Sequence, residues 1–371
     1  MNIIVGMMMV ILYISSVIYL VLAVVTLFGL LQTYKKTENI LDKTVSIVIV
    51  ARNEENSLGN TLKSINNLEL SGLKWEVILV NDASNDDTLK IMKDFQKNNK
   101  NVKIINLKKK DDKLLGKKFG ITKAVEKSSC NYIFMTDADC IVPKYWIKDA
   151  LKYFTGRVGM LLGHIEYIHN SFKEKIENIE TIAGSIFTFS WAFYNNSPYC
   201  RGGNMAFKKK AFEDINGYRN TPRMASGDDT FLLQKMREKF KIVPLFEKTT
   251  FIKTALDKTR TGRNERNKRK FAKNFLMRPL NLSLFLFGIF YHLLLLIFIF
   301  IFYNNIVLWL IIAVKTVVEY LLFIIGAIKM NRINYILLYP IFIIKLIYRI
   351  IYYSVAGILK GYRWKSEKEI H

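Results

Sequence analysis

Apolar residues are arranged in two ways along this chain. At the ends they run unbroken, and in the middle they come as short runs separated by polar, helix-like stretches. From Ile3 to Leu31 no residue is charged, and about 20 apolar residues suffice to cross a bilayer as a helix. Tyr34, Lys35 and Lys36 follow at once. A signal peptide carries its basic residues before the apolar run, and Met1 and Asn2 supply none. The pattern therefore predicts an uncleaved anchor over 1–33 with its C-terminal end in the cytoplasm. Leu280–Tyr303, Ile306–Ile328 and Ile336–Leu359 are further apolar stretches, within a membrane-associated region at 279–360. Tyr303-Asn304-Asn305 leaves room only for a tight turn, which makes the first two a hairpin, and Lys329 and Arg332 return the chain to the cytoplasm. Lys315 and Glu319, one helical turn apart, are placed to pair, either as mutual neutralisation in a helix bundle or as a lipid head-group contact. The last stretch holds Pro340, Lys345 and Arg349. Charge at mid-membrane is costly, so two readings stay open there: a span, or a segment lying in the interface.

Between these ends, from 42 to 254, the periodicity switches repeatedly between strand and helix. Val45–Val50, Val77–Val80, Val102–Ile105 and Tyr132–Met135 are β-rich runs. Helical stretches are expected from Glu55, over Asp86–Lys97 and over Ile121–Lys127. This alternation predicts an α/β domain of parallel βαβ units, in which ligands sit beyond the carboxyl ends of the strands. The first strand ends in Ala51-Arg52-Asn53-Glu54, the second in Asn81-Asp82-Ala83-Ser84 and the fourth in Thr136-Asp137-Ala138-Asp139. Any one of these could be a turn or a helix cap; on one rim together they read as a site. Two carboxylates two residues apart at a strand end suit a hard divalent cation, with substrate phosphates completing its shell.

Charge changes the picture next. The chain is 51% apolar yet carries a formal net charge of +24, a combination that suits a protein partly in a bilayer and partly against an anionic surface. No nucleic-acid motif accompanies the charge. Within a juxtamembrane segment at 255–278 it is concentrated over 260–273, where Arg260, Arg263, Arg266, Lys268, Arg269, Lys270 and Lys273 face Glu265 as the one acid, with Phe271 and Phe275 one turn apart. Cys130, Cys140 and Cys200 stand far apart and are expected as small core residues in a reducing compartment. His164 and His169 have no partner at ligand spacing. Trp146, Trp191 and Tyr194 are expected to stack on an acceptor sugar, to lie along a lipid path or to fill the core.

Four motifs in order, Ala51-Arg52-Asn53-Glu54-Glu55, Asn81-Asp82-Ala83-Ser84, Asp137-Ala138-Asp139 and Gly227-Asp228-Asp229, resemble those of family 2 glycosyltransferases with the GT-A fold. Gly116-Lys117-Lys118 and Arg201-Gly202-Gly203-Asn204-Met205-Ala206-Phe207 are similar to the family's basic and acceptor-side segments. The resemblance implies a GT-A domain, Rossmann-like with a mostly parallel sheet and flanking helices, set between transmembrane helices. It implies that Asp82 binds the nucleobase with Ala51, Asn53 and Glu54 lining the pocket, that Lys117 approaches the diphosphate, and that Asp137 lies by the ribose and donor sugar. It further implies that Asp139 holds Mn²⁺ or Mg²⁺, that Asp229 is the general base, and that Gly202, Gly203, Asn204 and Asp228 lie on the acceptor side.

The implied activity is inverting transfer from a nucleotide-sugar, a UDP-sugar being the family's commonest donor, to a lipid or glycan acceptor. The enzyme would be a multi-pass protein of the cell (inner) membrane with its catalytic domain in the cytoplasm. Processive members carry Gln-x-x-Arg-Trp before the membrane, whereas this chain has Asn267-Lys268-Arg269-Lys270-Phe271. A processive polysaccharide synthase is therefore the alternative, and a catalytically silent scaffold is the alternative of a different class.

Overall fold

Every residue from Val45 to Ala51 is buried, as a central strand covered on both faces requires. In the computed structural model this run is β1 (Thr44–Ala51), hydrogen-bonded in parallel to β2 (Lys74–Asp82) on one side and to β4 (Tyr132–Asp137) on the other. The structure describes residues 2–40, 42–107, 114, 116–169, 171–222, 227–256, 262, 264, 278–343, 352, 362–364 and 367–369. The basic residues of Arg260–Lys273, the Asn267–Phe271 segment and all of Ile336–Leu359 beyond Ile343 except position 352 lie outside the described residues.

The chain divides into two units, Gln32–Leu256 and Met1–Leu31 with Asp257–His371. In the first, a seven-stranded sheet has the order β3-β2-β1-β4-β8-β6-β9, where β3 is Val102–Leu107, β8 Met205–Lys208, β6 Val158–Leu162 and β9 Lys241–Pro244. β3 to β4 run parallel, β8 is antiparallel to both its neighbours, and β6 and β9 are again parallel. A small second sheet joins β5 (Cys140–Ile141), β10 (Ile252–Ala255) and β7 (Ile165–Ile168). Strand order reverses between β1 and β4, which opens the crevice where ligands of such sheets bind.

The helices start later than their hydrophobic periodicity suggests. The one expected from Glu55 is α2 (Leu58–Asn66), because Glu54–Ser57 first make a turn in which Glu54 O accepts from Ser57 N at 3.1 Å and from Leu58 N at 2.9 Å. The one expected from Asp86 is α3 (Thr88–Lys97), since the Asp86 carboxylate accepts from Thr88 N at 3.0 Å and so lies ahead of the helix. α4 (Lys117–Lys127) instead extends further back than Ile121 and brings Lys117 into its first turn. α5 (Trp146–Leu151), α6 (Phe172–Ala192), α7 (Lys209–Asp214) and α8 (Asp228–Lys239) complete the unit.

The second unit contains α1 (Asn2–Leu31), α9 (Pro279–Ile301) and α10 (Ile306–Lys329). Within them Val5–Leu31, Pro279–Ile301 and Ile306–Lys329 are long and apolar enough to cross a membrane. The expected hairpin is present: Asn305 caps α10 by accepting from Val307 N at 2.9 Å. The expected pair is present too, Lys315 Nζ lying 2.9 and 2.8 Å from the Glu319 oxygens. Sequence spacing did not show that Tyr19 of α1 also donates to Glu319, or that His292 Nε2 of α9 lies 4.0 Å from it. Three helices thus converge on one carboxylate, as an apolar surround demands of a charged group.

Candidate active site

The ends of β1 and β2 are strapped together by side chains that replace missing backbone ladders. Asn53, at φ 55, donates its N–H to Ser84 Oγ (3.1 Å) while its Oδ1 accepts from Asn85 N (2.9 Å). Glu54 N donates to Thr88 Oγ1 (2.8 Å), and Glu55 and Asp86 exchange contacts across the same seam through Asp87 N and Glu55 N (both 3.1 Å). Asn tolerates the left-handed region because its short amide bonds locally. Asn53 therefore fixes the seam between the two strand ends. Ala51 is buried in the core and reaches the rim only as the last residue of β1, whereas Asp82, closing β2, is 8% exposed.

β4 delivers Asp137 and Asp139 to the same edge. The turn between them is pinned from α2, where Thr61 Oγ1 donates to Ala138 O (2.8 Å) and Ser64 Oγ accepts from Val142 N (3.1 Å). Lys117 Nζ lies 2.5 Å from Asp137 Oδ1. Burial alone would lower the Lys117 pKa, but the charges of Asp137 and Asp228 more than offset it and hold the ammonium above its usual range. The Asp139 carboxyl is pushed the other way. Although the residue is exposed at the surface, partial loss of water raises its pKa, and Asp137 and Glu54 raise it further against the opposing charge of Lys117. The edge thus carries more negative charge than Lys117 balances, and its donors are hard oxygens: a divalent cation fits this set.

The third contributor is the Gly202-Gly203-Asn204 turn before β8. Gly202 N donates to Asp229 Oδ2 (3.3 Å), and Asp229 Oδ1 accepts from Thr230 N (2.7 Å). A Cβ on Gly203 would lie 2.7 Å from Asp137 Oδ2, and one on Gly202 would lie 3.3 Å from Asp228 Oδ2. This turn is what places Asp137 next to Asp228 and Asp229. Gly227, at φ 88, lets the chain turn into α8 with both acids in its first turn, where the helix dipole favours them.

Sequence reasoning placed Asn204 on the acceptor side. Its side chain is instead buried at 1% exposure: Oδ1 accepts from Trp146 Nε1 (3.1 Å), and Nδ2 donates to His164 O (2.7 Å) and Thr250 O (2.9 Å). Its amide is spent anchoring the turn, so it acts through the two glycines ahead of it. Trp146 is fully buried, edge-on to Phe134, and belongs to the core. Trp191 is buried as well, and Tyr194 is half-exposed beside it. His164 is fully buried, 2.7 Å from Ser185 Oγ.

Two residues escaped the sequence reading of their roles. Lys118 is buried, donates to Pro222 O at 2.7 Å and lies 4.9 Å from the Phe231 ring, so it ties α4 to the approach of the acidic pair. The Cys140 sulfur lies 3.7 Å from Asp139 Oδ1. A Lys next to another Lys, and a lone Cys, gave no signal beyond their neighbours.

The sequence profile described as Glycosyl transferase family 2 matches residues 46–216, and one described as N-terminal domain of galactosyltransferase matches 183–250. The poly-beta-1,6-N-acetyl-D-glucosamine synthase of Staphylococcus epidermidis (strain RP62A) is 29% identical over 201 residues, 50% of this chain and 44% of the relative. That of Staphylococcus aureus (strain MSSA476) is 27% identical over 192 residues, 48% of this chain and 42% of the relative. The chain thus spans less than half the length of these relatives. Among solved structures, the mannosyltransferase PcManGT from Pyrobaculum calidifontis, in complex with GDP-Man and Mn²⁺, has a TM-score of 0.58 at 14% identity, covering 95% of this chain and 97% of that one. This last is a likeness of fold. Ordered motifs, the sheet with its acidic rim and the profile match agree: the chain carries a family 2 glycosyltransferase domain of the GT-A fold, with flanking helices long and apolar enough to cross a membrane.

Proposed function

We propose that the enzyme transfers a sugar, with inversion, from a UDP-sugar to a lipid or glycan acceptor at the membrane, and that the sugar is an N-acetylhexosamine. The observation that carries this reading is the single rim on which Lys117, Asp137 and Asp139 meet Asp229 across the Gly202-Gly203 turn. Asp82 with the strapped Asn53–Glu54 seam would seat the nucleoside, and Asp137 would orient the ribose and sugar. Asp139, with Asp137 beside it, would hold Mn²⁺ or Mg²⁺, which supplies charge neutralisation to the departing diphosphate. Lys117 adds a fixed positive charge on the same side. Asp229 would take the proton of the attacking acceptor hydroxyl, and attack from the face opposite the leaving group inverts the anomeric centre. The names of the sequence relatives support the N-acetylhexosamine.

The lysines after α1 support a cytoplasmic catalytic domain, and the basic 255–278 segment would dock it on anionic lipid. A non-processive enzyme is the leading reading, because Asn267–Phe271 departs from the processive motif. The relatives are polymer synthases, which favours the processive reading, and product length separates the two.

The test is release of nucleoside diphosphate by the detergent-purified full chain against a panel of nucleotide-sugars, with and without chelator. UDP-N-acetylhexosamines are expected to lead, and Asp139→Ala is expected to be inactive. Turnover that persists in chelator, or in Asp139→Ala, rules out the metal role. Absence of turnover and of nucleotide-sugar binding with every donor leaves a scaffold.

A further inference from the structure

We propose that Asp137, Asp139 and Cys140 form a mixed oxygen–sulfur site that takes a thiophilic divalent cation, of the zinc, cadmium or cobalt class, through the Cys140 sulfur. This rests on the reading that Asp139 binds the cation of the donor site, and it adds a ligand that sequence spacing did not suggest.

One carboxylate oxygen from each aspartate and the Cys140 sulfur all lie within 4.8 Å of one another, a spacing that one ion can bridge. The thiol already faces this cluster, donating toward Asp139 Oδ1 at 3.7 Å, and its side chain is 1% exposed. Its position is fixed by the fold. Cys140 pairs with Thr254 in the small sheet, and Thr254 Oγ1 donates to the main-chain carbonyl of Asp139 at 3.3 Å, so β10 fixes the backbone from which both side chains project. The other described cysteines, Cys130 and Cys200, are also buried and outside any disulfide, and neither belongs to such a cluster among the described residues.

Hard cations such as Mn²⁺ and Mg²⁺ choose oxygen and leave the thiol protonated. A thiophilic cation gains a metal–sulfur bond as the S–H bond breaks and the proton passes to solvent. Affinity for a given donor set also rises from manganese through cobalt toward zinc. The consequence is competition at Asp139: cations of this class displace Mn²⁺ and hold the rim in a different coordination.

The experiment uses the detergent-purified full chain and the metals alone. Titration with Co²⁺ is expected to produce a thiolate-to-cobalt charge-transfer band in the near ultraviolet. Cys130→Ser and Cys200→Ser should keep the band and Cys140→Ser should lose it. In parallel, bound Mn²⁺ is followed by electron paramagnetic resonance in the presence of UDP while Cd²⁺ is added. Cd²⁺ should displace Mn²⁺ less effectively in Cys140→Ser by about tenfold or more, a loss typical of perturbed metal coordination, while Mn²⁺ binding itself is retained and reports an intact fold. A band that survives in Cys140→Ser, or equal Cd²⁺ displacement in both proteins, overturns the proposal and leaves the donor-site cation untouched. Should Cys140→Ser fail to bind Mn²⁺, Cys140→Ala takes its place under the same criteria. Cd²⁺ binding without any Mn²⁺ binding would overturn the donor-site reading instead, and binding of neither overturns both.

Discussion

Lys117 Nζ lies 2.5 Å from Asp137 Oδ1, and the same ammonium feels the charge of Asp228 from the first turn of α8. One cation therefore links the end of β4 to the acidic first turn of α8, the proposed donor and acceptor sides of the rim. Lys117→Met removes it and leaves the acidic cluster less balanced. A charge-assisted hydrogen bond is worth about 1.5–3 kcal/mol, so UDP binding in Mn²⁺ should weaken by about tenfold to a hundredfold in calorimetry. Unchanged affinity would mean that Lys117 serves only to hold Asp137.

Asp229→Asn keeps the shape that receives the Gly202 N–H but cannot take up a proton. Turnover should fall by about a hundredfold or more, the scale of general-base catalysis, with donor affinity unaltered. If turnover holds, the base lies elsewhere, and Asp228→Asn is the next variant to measure.

Gly203→Ala and Gly202→Ala make an informative pair. The first places a methyl 2.7 Å from Asp137 Oδ2, the second only 3.3 Å from Asp228 Oδ2. Displacing a catalytic group by about 1 Å can cost about a hundredfold, so kcat/KM should fall far more in Gly203→Ala. Comparable rates in the two variants would show that the turn yields without moving Asp137.

Glu76 lies away from the proposed site in a buried cluster. Burial alone would raise its pKa, but hydrogen bonds from Lys103, Ser46 and Ser129 bring it down to about 2, from 4.5 for an ordinary Glu. A depressed carboxyl stabilises the fold above its unfolded pKa, and that contribution is lost as pH falls through the folded one. The thermal stability of the full chain should fall between about pH 4.5 and pH 2, and Glu76→Gln should lack that component. Parallel acid profiles for the two proteins would contradict this.

The basic run before α9 is expected to dock on anionic lipid, each basic residue near the surface contributing about 1 kcal/mol. Replacing Arg266, Arg269 and Lys270 by Gln should lower activity on anionic liposomes. Wild-type activity there should fall more steeply with salt than that of the triple variant, because screening acts over about 8–10 Å. Equal salt sensitivity with equal activity would leave the run as a solvated face.

Much of this protein is legible in its sequence because local patterns suffice. An uncharged run such as Ile3–Leu31 has few structures open to it, and Val45–Val50 with its partner runs announces a buried parallel sheet. Once strand ends are known, Asp82, Asp137 and Asp139 follow onto one rim, since parallel strands end on the same side. Helix starts were less legible: Asp86 and Glu54 satisfy backbone groups ahead of α3 and α2 through side-chain and turn contacts that hydrophobic periodicity does not register.

What only the tertiary structure decided are the relationships between residues distant in the chain. Asn204 has the same neighbours in sequence whether it meets an acceptor or anchors a turn; burial against Trp146, His164 and Thr250 settles it as an anchor. The approach of Gly203 to Asp137, the reach of Lys118 to Pro222 and the convergence of Tyr19 and His292 on Glu319 each join segments far apart in the chain. Cys140 became a neighbour of the acidic pair in chemistry, beyond mere adjacency, only when pairing with Thr254 fixed which way its sulfur faces. Sequence determines which groups are available and along which strands they travel. Packing selects which of them face each other, because a side chain's direction is set by the neighbours that exclude every other one.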